Sequence, residues 1–406
     1  MSHLIFFDDD KWKSILPLTY LKPACELRVG ILTIAEKWKL LFESKSHGYI
    51  TNDYLSHKYK LSLEETNIAI NGRLLPNANV ISLLNRLKPN QGLLYHDVFI
   101  GGILSKDQFD TENYDIYIDD MEMIDISSYD SRDLIFVERP QDLFLLNSAE
   151  IAKDYDLVTQ GRKSAELNST NHAYGLEKIF IEEGAKVDFS ILNASDGPIY
   201  IGKDAVVLEN SVIKGPVCIG DNSVVKVGAK IYQGTTLGPY CKIGGEVKKS
   251  ILQGYCSKAH DGYLGDSVIG EWCNLGADTN SSNLKNNYSE VKAYSYATQD
   301  FELTGLQFCG MILGDHCKTG INSMFNTGSV MGICSNLFGA SFPPKFIPSF
   351  SWGGSEGFET YTFAKAMDAI NRSMQRKDLR LSDDEIKILR FVFDESKQRR
   401  TWDHNT

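Results

Sequence analysis

Residues 201–243 read IGKDAV VLENSV IKGPVC IGDNSV VKVGAK IYQGTT LGPYCK I. An aliphatic side chain opens every block: Ile201, Val207, Ile213, Ile219, Val225, Ile231, Leu237 and Ile243. A six-residue period fits neither the 3.6 of a helix face nor the 2 of a solvated strand. It fits a triangular coil whose sides are short strands and whose corners are turns, with the repeated aliphatic pointing at the axis. Such coils stack into parallel sheets as a solenoid. Gly202, Gly220, Gly238 and Gly244 each follow an axis residue, where they are expected to supply positive φ at a corner. The predicted fold of this half is a left-handed parallel β-helix.

Working outward, the period returns at Leu264, Ile269 and Leu275, and again at Leu313, Thr319, Phe325, Met331 and Leu337. Two stretches break the count, Lys249 to Tyr263 and Thr279 to Met311. Insertions on a rigid scaffold are where binding loops sit, and His260 lies in the first. Beyond Phe350 the chain is predicted to be helical. Tyr361 to Gln375 has helical spacing, and Ser382 with Glu385 three residues on is a capping box.

Upstream, short apolar runs read as strands (Leu4 to Phe7, Ile68 to Ile70, Leu134 to Val137) alternate with helical stretches such as Ile31 to Phe42. That alternation predicts an α/β layer domain. The polar run Gln160 to Asn171 reads as a linker. The expected division is therefore an α/β domain at 1–159, a linker at 160–173, the β-helix at 174–350 and a helical tail at 351–406. For 406 residues, two cores are the natural expectation.

A net charge of -11 argues against a nucleic-acid partner, which would demand a basic face. No apolar run approaches the roughly 20 residues of a membrane helix. The eight cysteines show no C-x-x-C spacing, and no secretory apolar core opens the chain. Reduced thiols in a cytoplasmic protein are expected.

The segment Lys248-Lys249-Ser250 through Ser257-Lys258-Ala259-His260, then Tyr263-Leu264-Gly265-Asp266 and Asn274-Leu275-Gly276-Ala277, resembles the acetyltransferase domain of one bifunctional family. That family is the N-acetylglucosamine-1-phosphate uridyltransferase/glucosamine-1-phosphate acetyltransferases. The resemblance implies acetyl transfer from acetyl-CoA to an amino-sugar phosphate, in a homotrimer whose sites lie between subunits. It puts His260 at the catalytic base, since the attacking amine must lose a proton and a neutral imidazole can take it. It puts Lys248, Tyr263 and Asn274 against the sugar phosphate or nucleotide sugar, and Ala277 and Asn283 against acetyl-CoA. Lys318 resembles a variant motif of archaeal-type relatives and joins the acetyl-CoA set. This chain departs from the family at Leu284, Ile321 and Lys230, where a tyrosine, a serine and an arginine are usual.

The N-terminal segment resembles a divergent sugar nucleotidyltransferase, on Pro17-Leu18-Thr19 and Pro23. The family's glycine-rich triphosphate loop is replaced by Asp8-Asp9-Asp10-Lys11-Trp12, and its lysine by Ala24, leaving Lys22 or Arg28 as substitutes. Arg73, in Asn71-Gly72-Arg73, stands where the magnesium-binding aspartate belongs. Mg2+ is therefore expected only if nucleotidyl transfer is retained. Two further readings stay open: a sugar-1-phosphate nucleotidyltransferase with a structural β-helix, and a non-catalytic scaffold that binds nucleotide sugars. A hexapeptide metal hydratase would need three histidines, and only His260 and His316 fall in the coil. The segment Arg139 to Asn147 is read as helix packing without a further role.

Overall fold

The structure, a computed structural model, describes residues 3–130 and 133–404, so the extreme residues of the first and last expected segments lie outside the described residues. In the N-terminal part β1 (His3–Phe7) lies between β2 (Ser46–Ile50) and β3 (Thr66–Asn71), parallel to both. The hairpin of β4 (Gln91–Tyr95) and β5 (Val98–Ser105) extends the sheet, β5 running antiparallel to β3. Helices α1 (Ile34–Leu41), α2 (Asp53–Ser56) and α3 (Ala78–Arg86) complete an α/β unit. Thr33 and Glu36 close a capping box at the start of α1. Leu134–Val137 is not a strand. It makes one bridge, Phe136 to Leu74, because its neighbours Arg73 and Leu75 bond it as an extended strap over the core.

The second half is a parallel β-helix. Its first face is a nine-stranded sheet from Ile179–Ile181 to Phe346–Ile347. The second face begins with five strands, Lys186–Val187 to Ser257–Lys258, and continues through bridges from Ser257 to Asn274 and from Asn274 to Lys318. The third face has six strands, His172–Tyr174 to Tyr263–Gly265, followed by the pair Asn280–Ser281 and Met324–Phe325. The axis positions from Ile201 to Leu337 are buried, and the apolar ones among them form one continuous column.

Glycine beside the axis serves a different purpose from the one expected. Gly202, Gly220, Gly238 and Gly244 do not have positive φ. A Cβ on Gly220 would sit 2.6 Å from the carbonyl oxygen of Leu237, and one on Gly244 would sit 2.7 Å from that of Ala259. The next coil passes too close for a side chain. Left-handed φ falls instead further along the corners, most regularly between first and second faces, on Asp204, Asn222, Tyr240, Tyr255, Trp272 and His316 in successive coils. Bulky residues there cost roughly 1 kcal/mol each. The stacked rings offset this: Tyr240 to Tyr255 at 5.1 Å and Tyr255 to Trp272 at 4.2 Å, nearly parallel.

The two breaks in the repeat prove unlike. Lys249 to Tyr263 is not an insertion but a complete coil, with strands Ile251–Leu252, Ser257–Lys258 and Tyr263–Gly265 in register with their neighbours. The count slips there because two corners are short. The second break is a true excursion that carries the antiparallel pair Lys292–Ser295 and Asp300–Leu303.

Helix α4 (Pro140–Thr159) leaves the α/β unit and packs on the first face. Asn147 is fully buried between them. Its Nδ2 donates to the carbonyl of Gly234 at 2.9 Å and to Thr236 Oγ1 at 3.0 Å, while its Oδ1 accepts from the Gly30 N–H at 2.7 Å. Tail helices α5 (Phe363–Gln375) and α6 (Asp383–Glu395) follow, α6 opening on the expected Ser382–Glu385 capping box. Side chains of the α/β unit, the first face and both tail helices share one apolar cluster. Tyr54 stacks on Phe391 at 4.1 Å, and Lys58 pairs with Glu385 at 2.9 Å. All eight cysteines are buried and free, and no described helix is long and apolar enough to cross a membrane.

Candidate functional site

The coil Ile251–Gly265 turns its second–third corner through Ala259 to Gly262. Lys258 pairs in register with Ile243 and so takes an axis position, where it is 1% exposed. Its Nζ donates to the carbonyl oxygens of Gly244 at 3.0 Å, His260 at 2.8 Å and Asp261 at 3.3 Å. Burial lowers its pKa to about 8, against the pull of Asp261 and Asp278. The ammonium thus substitutes for an aliphatic in the column and anchors the turn from within. His260, on that turn, is exposed, and among the described residues its ring has no hydrogen-bond partner.

One strand further, Tyr263 stands on the third face, paired with Glu246, which pairs in turn with Lys230. The exposed Lys248 lies opposite Gly265 on the adjoining strand. Asn283 reaches back from the third face of the next coil. Its Nδ2 donates to Tyr263 Oη at 3.0 Å and to Asp266 Oδ2 at 2.6 Å. Burial raises the Asp266 carboxyl, with the Asn283 amide and the Lys249 ammonium opposing it. Lys248, Tyr263 and Asn283 therefore gather along the third face, with the Tyr263 hydroxyl and the Asn283 amide at its Gly265–Asp266 end.

Ladder register continues that corner upward. Ser257, Asn274 and Lys318 are bridged neighbours, so His260, Ala277 and Ile321 occupy one column of the corner in successive coils. Ala277 leaves a shallow gap between an imidazole and an isoleucine that is 71% exposed. Leu284 is bridged to Phe308 at the base of the excursion. Asn274 and Lys318 themselves face the other way, on the second face with Lys242 and Ser257. The structure thus divides the expected residues between two sides of one edge. His260 and His316 stand on different corners, which separates the two coil histidines.

At the carboxyl ends of β1 and β3 the acidic run is already engaged. Asp8 accepts from the Ala24 N–H and the Thr51 hydroxyl, and burial raises its pKa to about 6. Asp9 is clasped by the buried Arg73 guanidinium and by Asn71. Lys22 is buried between Glu271 at 3.0 Å and Asp315 at 3.3 Å of the β-helix, and the Arg28 guanidinium reaches Glu36. Neither cation is free to take the missing lysine's part. Among the described residues no three His, Cys, Asp or Glu side chains cluster as metal ligands. The residues present do not fit a Mg2+ site as they stand.

Sequence reasoning missed a cavity of about 730 Å3 beyond the carboxyl ends of β1 and β2, walled by Trp12, Tyr20, Tyr54, Tyr296, Phe391 and Arg399. Crevices in that place are the usual ligand sites of parallel α/β sheets. Four separate stretches of chain build it, so no local motif reveals it. Lys258 was missed for another reason: a lysine at an axis position hides the periodicity that would identify it.

Residues 4–163 match the family model described as sugar nucleotidyl transferase. The chain is similar to the bifunctional protein GlmU of Methanocaldococcus jannaschii, 37% identical over 87 residues, which are 21% of each chain. It is also similar to a bifunctional sugar-1-phosphate nucleotidylyltransferase/acetyltransferase of Sulfurisphaera tokodaii. That match is 33% identical over 152 residues, 32% of this chain and 37% of the relative. The chain thus spans about a fifth to little more than a third of these relatives. Among solved structures it matches the polySia specific acetyltransferase NeuO at 14% identity and a TM-score of 0.27, over 47% of this chain and 84% of that one. A UDP-N-acetylglucosamine acyltransferase of Arabidopsis matches at 13% and 0.24, over 59% and 97%.

Proposed function

We propose that the β-helix transfers an acetyl group from acetyl-CoA to the amine of an amino-sugar phosphate, with His260 as the base. The observation that carries this reading is the Lys258-anchored turn, which holds an exposed imidazole at the second–third corner of the coil whose third face carries Tyr263. In the reaction the amine nitrogen attacks the thioester carbonyl and loses a proton to His260. The C–S bond then breaks, and the departing thiolate takes a proton, leaving an amide and a free thiol. Lys248 is a suitable point charge for the acceptor's phosphate, and Tyr263 for its sugar face.

Both amide hydrogens of Asn283 are already donated, to Tyr263 and Asp266. Its part in this scheme is to hold Tyr263. The small Ala277 and exposed Ile321 give the corner an apolar strip that suits the acyl donor's thin arm, with Asn274 and Lys318 just around the edge. Pairing of such edges between subunits in a homotrimer would close the groove. The N-terminal unit, given its family match, is taken to hold a nucleotide or nucleotide sugar in the 730 Å3 cavity. Nucleotidyl transfer through Mg2+ would require Asp8 and Asp9 to leave their present partners. A cytoplasmic protein is consistent with eight free thiols.

The deciding experiment offers acetyl-CoA with amino-sugar 1-phosphates and nucleotide-linked amino sugars while free thiol is followed. Turnover by the intact chain that disappears in His260→Ala supports the reading; no thiol release with any acceptor removes it.

A further inference from the structure

The chain carries a net charge of -11, yet one groove on the second face gathers four cations and no carboxylate. Lys242 and Lys318 project from the coils, and Arg376 and Lys377 come down from the end of α5. Some lysines elsewhere find acids: Lys22, Lys37 and Lys58 are ion-paired. Among the described residues none of these four has an acidic partner, and the Lys377 ammonium rests 4.8 Å from the centre of the Tyr240 ring. Like charges crowded along a concave wall repel one another and focus a positive field.

The other wall is the aromatic stack. Tyr240, Tyr255 and Trp272 line the groove, which encloses about 360 Å3, within the range of small-ligand sites. Ring edges on one side and cations on the other suit a ligand that is flat at one end and polyanionic at the other.

We propose that this groove binds a nucleoside bearing two or more phosphates. Lys242, Lys318, Arg376 and Lys377 take the phosphates, and the Tyr255–Trp272 wall takes the base. Two ligands share that chemistry, the nucleotide end of an acyl-CoA and a nucleotide sugar. Only the choice between them rests on the acyl-transfer reading; the site itself does not.

Calorimetric titration of the full chain tests it, with adenosine 3′,5′-bisphosphate, UDP and pyrophosphate as probes. At least one nucleotide should bind, and the Arg376→Ala/Lys377→Ala double variant should weaken it at least tenfold with an unchanged melting temperature. Arg372→Ala, on the same helix but paired to Asp368, should bind as the wild type does. Tighter binding of the adenosine bisphosphate assigns the groove to the acyl donor, and tighter binding of UDP assigns it to a nucleotide sugar. Pyrophosphate binding as tightly as either nucleotide overturns the role of the aromatic wall. No binding by any probe, or equal binding by the double variant, overturns the site. His260→Ala should bind these probes normally, so loss of acyl transfer and loss of this site are separately visible.

Discussion

The Lys258 ammonium, enclosed in the axis of the β-helix, donates a 2.8 Å hydrogen bond to the carbonyl oxygen of His260. A surface imidazole is thereby positioned from inside the coil. Replacing the lysine by methionine keeps the stem and removes the donors, leaving three carbonyls with one partner fewer. Lys258→Met should cost about 2–3 kcal/mol in urea denaturation and lower kcat more than it raises KM.

The same residue predicts a pH signature. Its folded pKa of about 8 lies below the ordinary 10.5, so between those values the unfolded chain keeps a proton that the folded one has released. Wild-type stability relative to Lys258→Met should therefore rise from pH 8 to 10.5. A flat difference across that range would mean the ammonium is not desolvated.

His260→Ala removes an exposed side chain whose ring has no hydrogen-bond partner among the described residues. Acyl transfer should fall at least about 100-fold while the melting temperature hardly moves. A matched loss of both would make His260 a structural residue.

Asn147 joins the α/β unit to the coil through three buried bonds. Asn147→Leu should destabilise the chain by about 2–4 kcal/mol, since the Gly30 N–H and the Gly234 carbonyl lose their partner. Protease cleavage within residues 160–171 should become faster.

Asp8 titrates near 6 in the folded state, above the ordinary carboxylate value, because burial favours its neutral form. The folded chain therefore holds a proton between about pH 4 and 6 that the unfolded chain gives up, and stability falls as pH rises through that window. Asp8→Asn lacks this loss. Its denaturation midpoint should gain on the wild type from pH 4 to 7, by about 1–2 kcal/mol because Asp8 is partly exposed.

Much of this architecture was legible because an aliphatic at a six-residue interval has few other physical explanations. The axis column, the α1 region and the Ser382 cap all follow from periodicity and capping chemistry. Where a rule depended on side-chain polarity it misled. Lys258 at an axis position, with short steps from Ile243 to Val247 and Leu252, made a regular coil look like a loop. Leu134–Val137 had strand composition but no sheet edge to join. Around the expected site, motif order named Tyr263 and Asn283, which meet in a hydrogen bond between adjacent coils, while His260 stands at the corner before Tyr263. The cavity walled by Trp12, Tyr54, Tyr296 and Phe391, and the cations from α5, were not, because distant segments meet there.

The stack of Tyr54 on Phe391 and the ion pair of Lys58 with Glu385 join the start of the chain to its end. An ordinary solenoid is a linear array whose last repeats can peel away one at a time. Here the last coils lead into helices that are fastened to the first domain, which is itself bolted through α4 to the middle of the array. The molecule is closed into a loop by non-covalent contacts. Unravelling from the carboxyl end must first break that closure, so the whole assembly should melt in a single cooperative step.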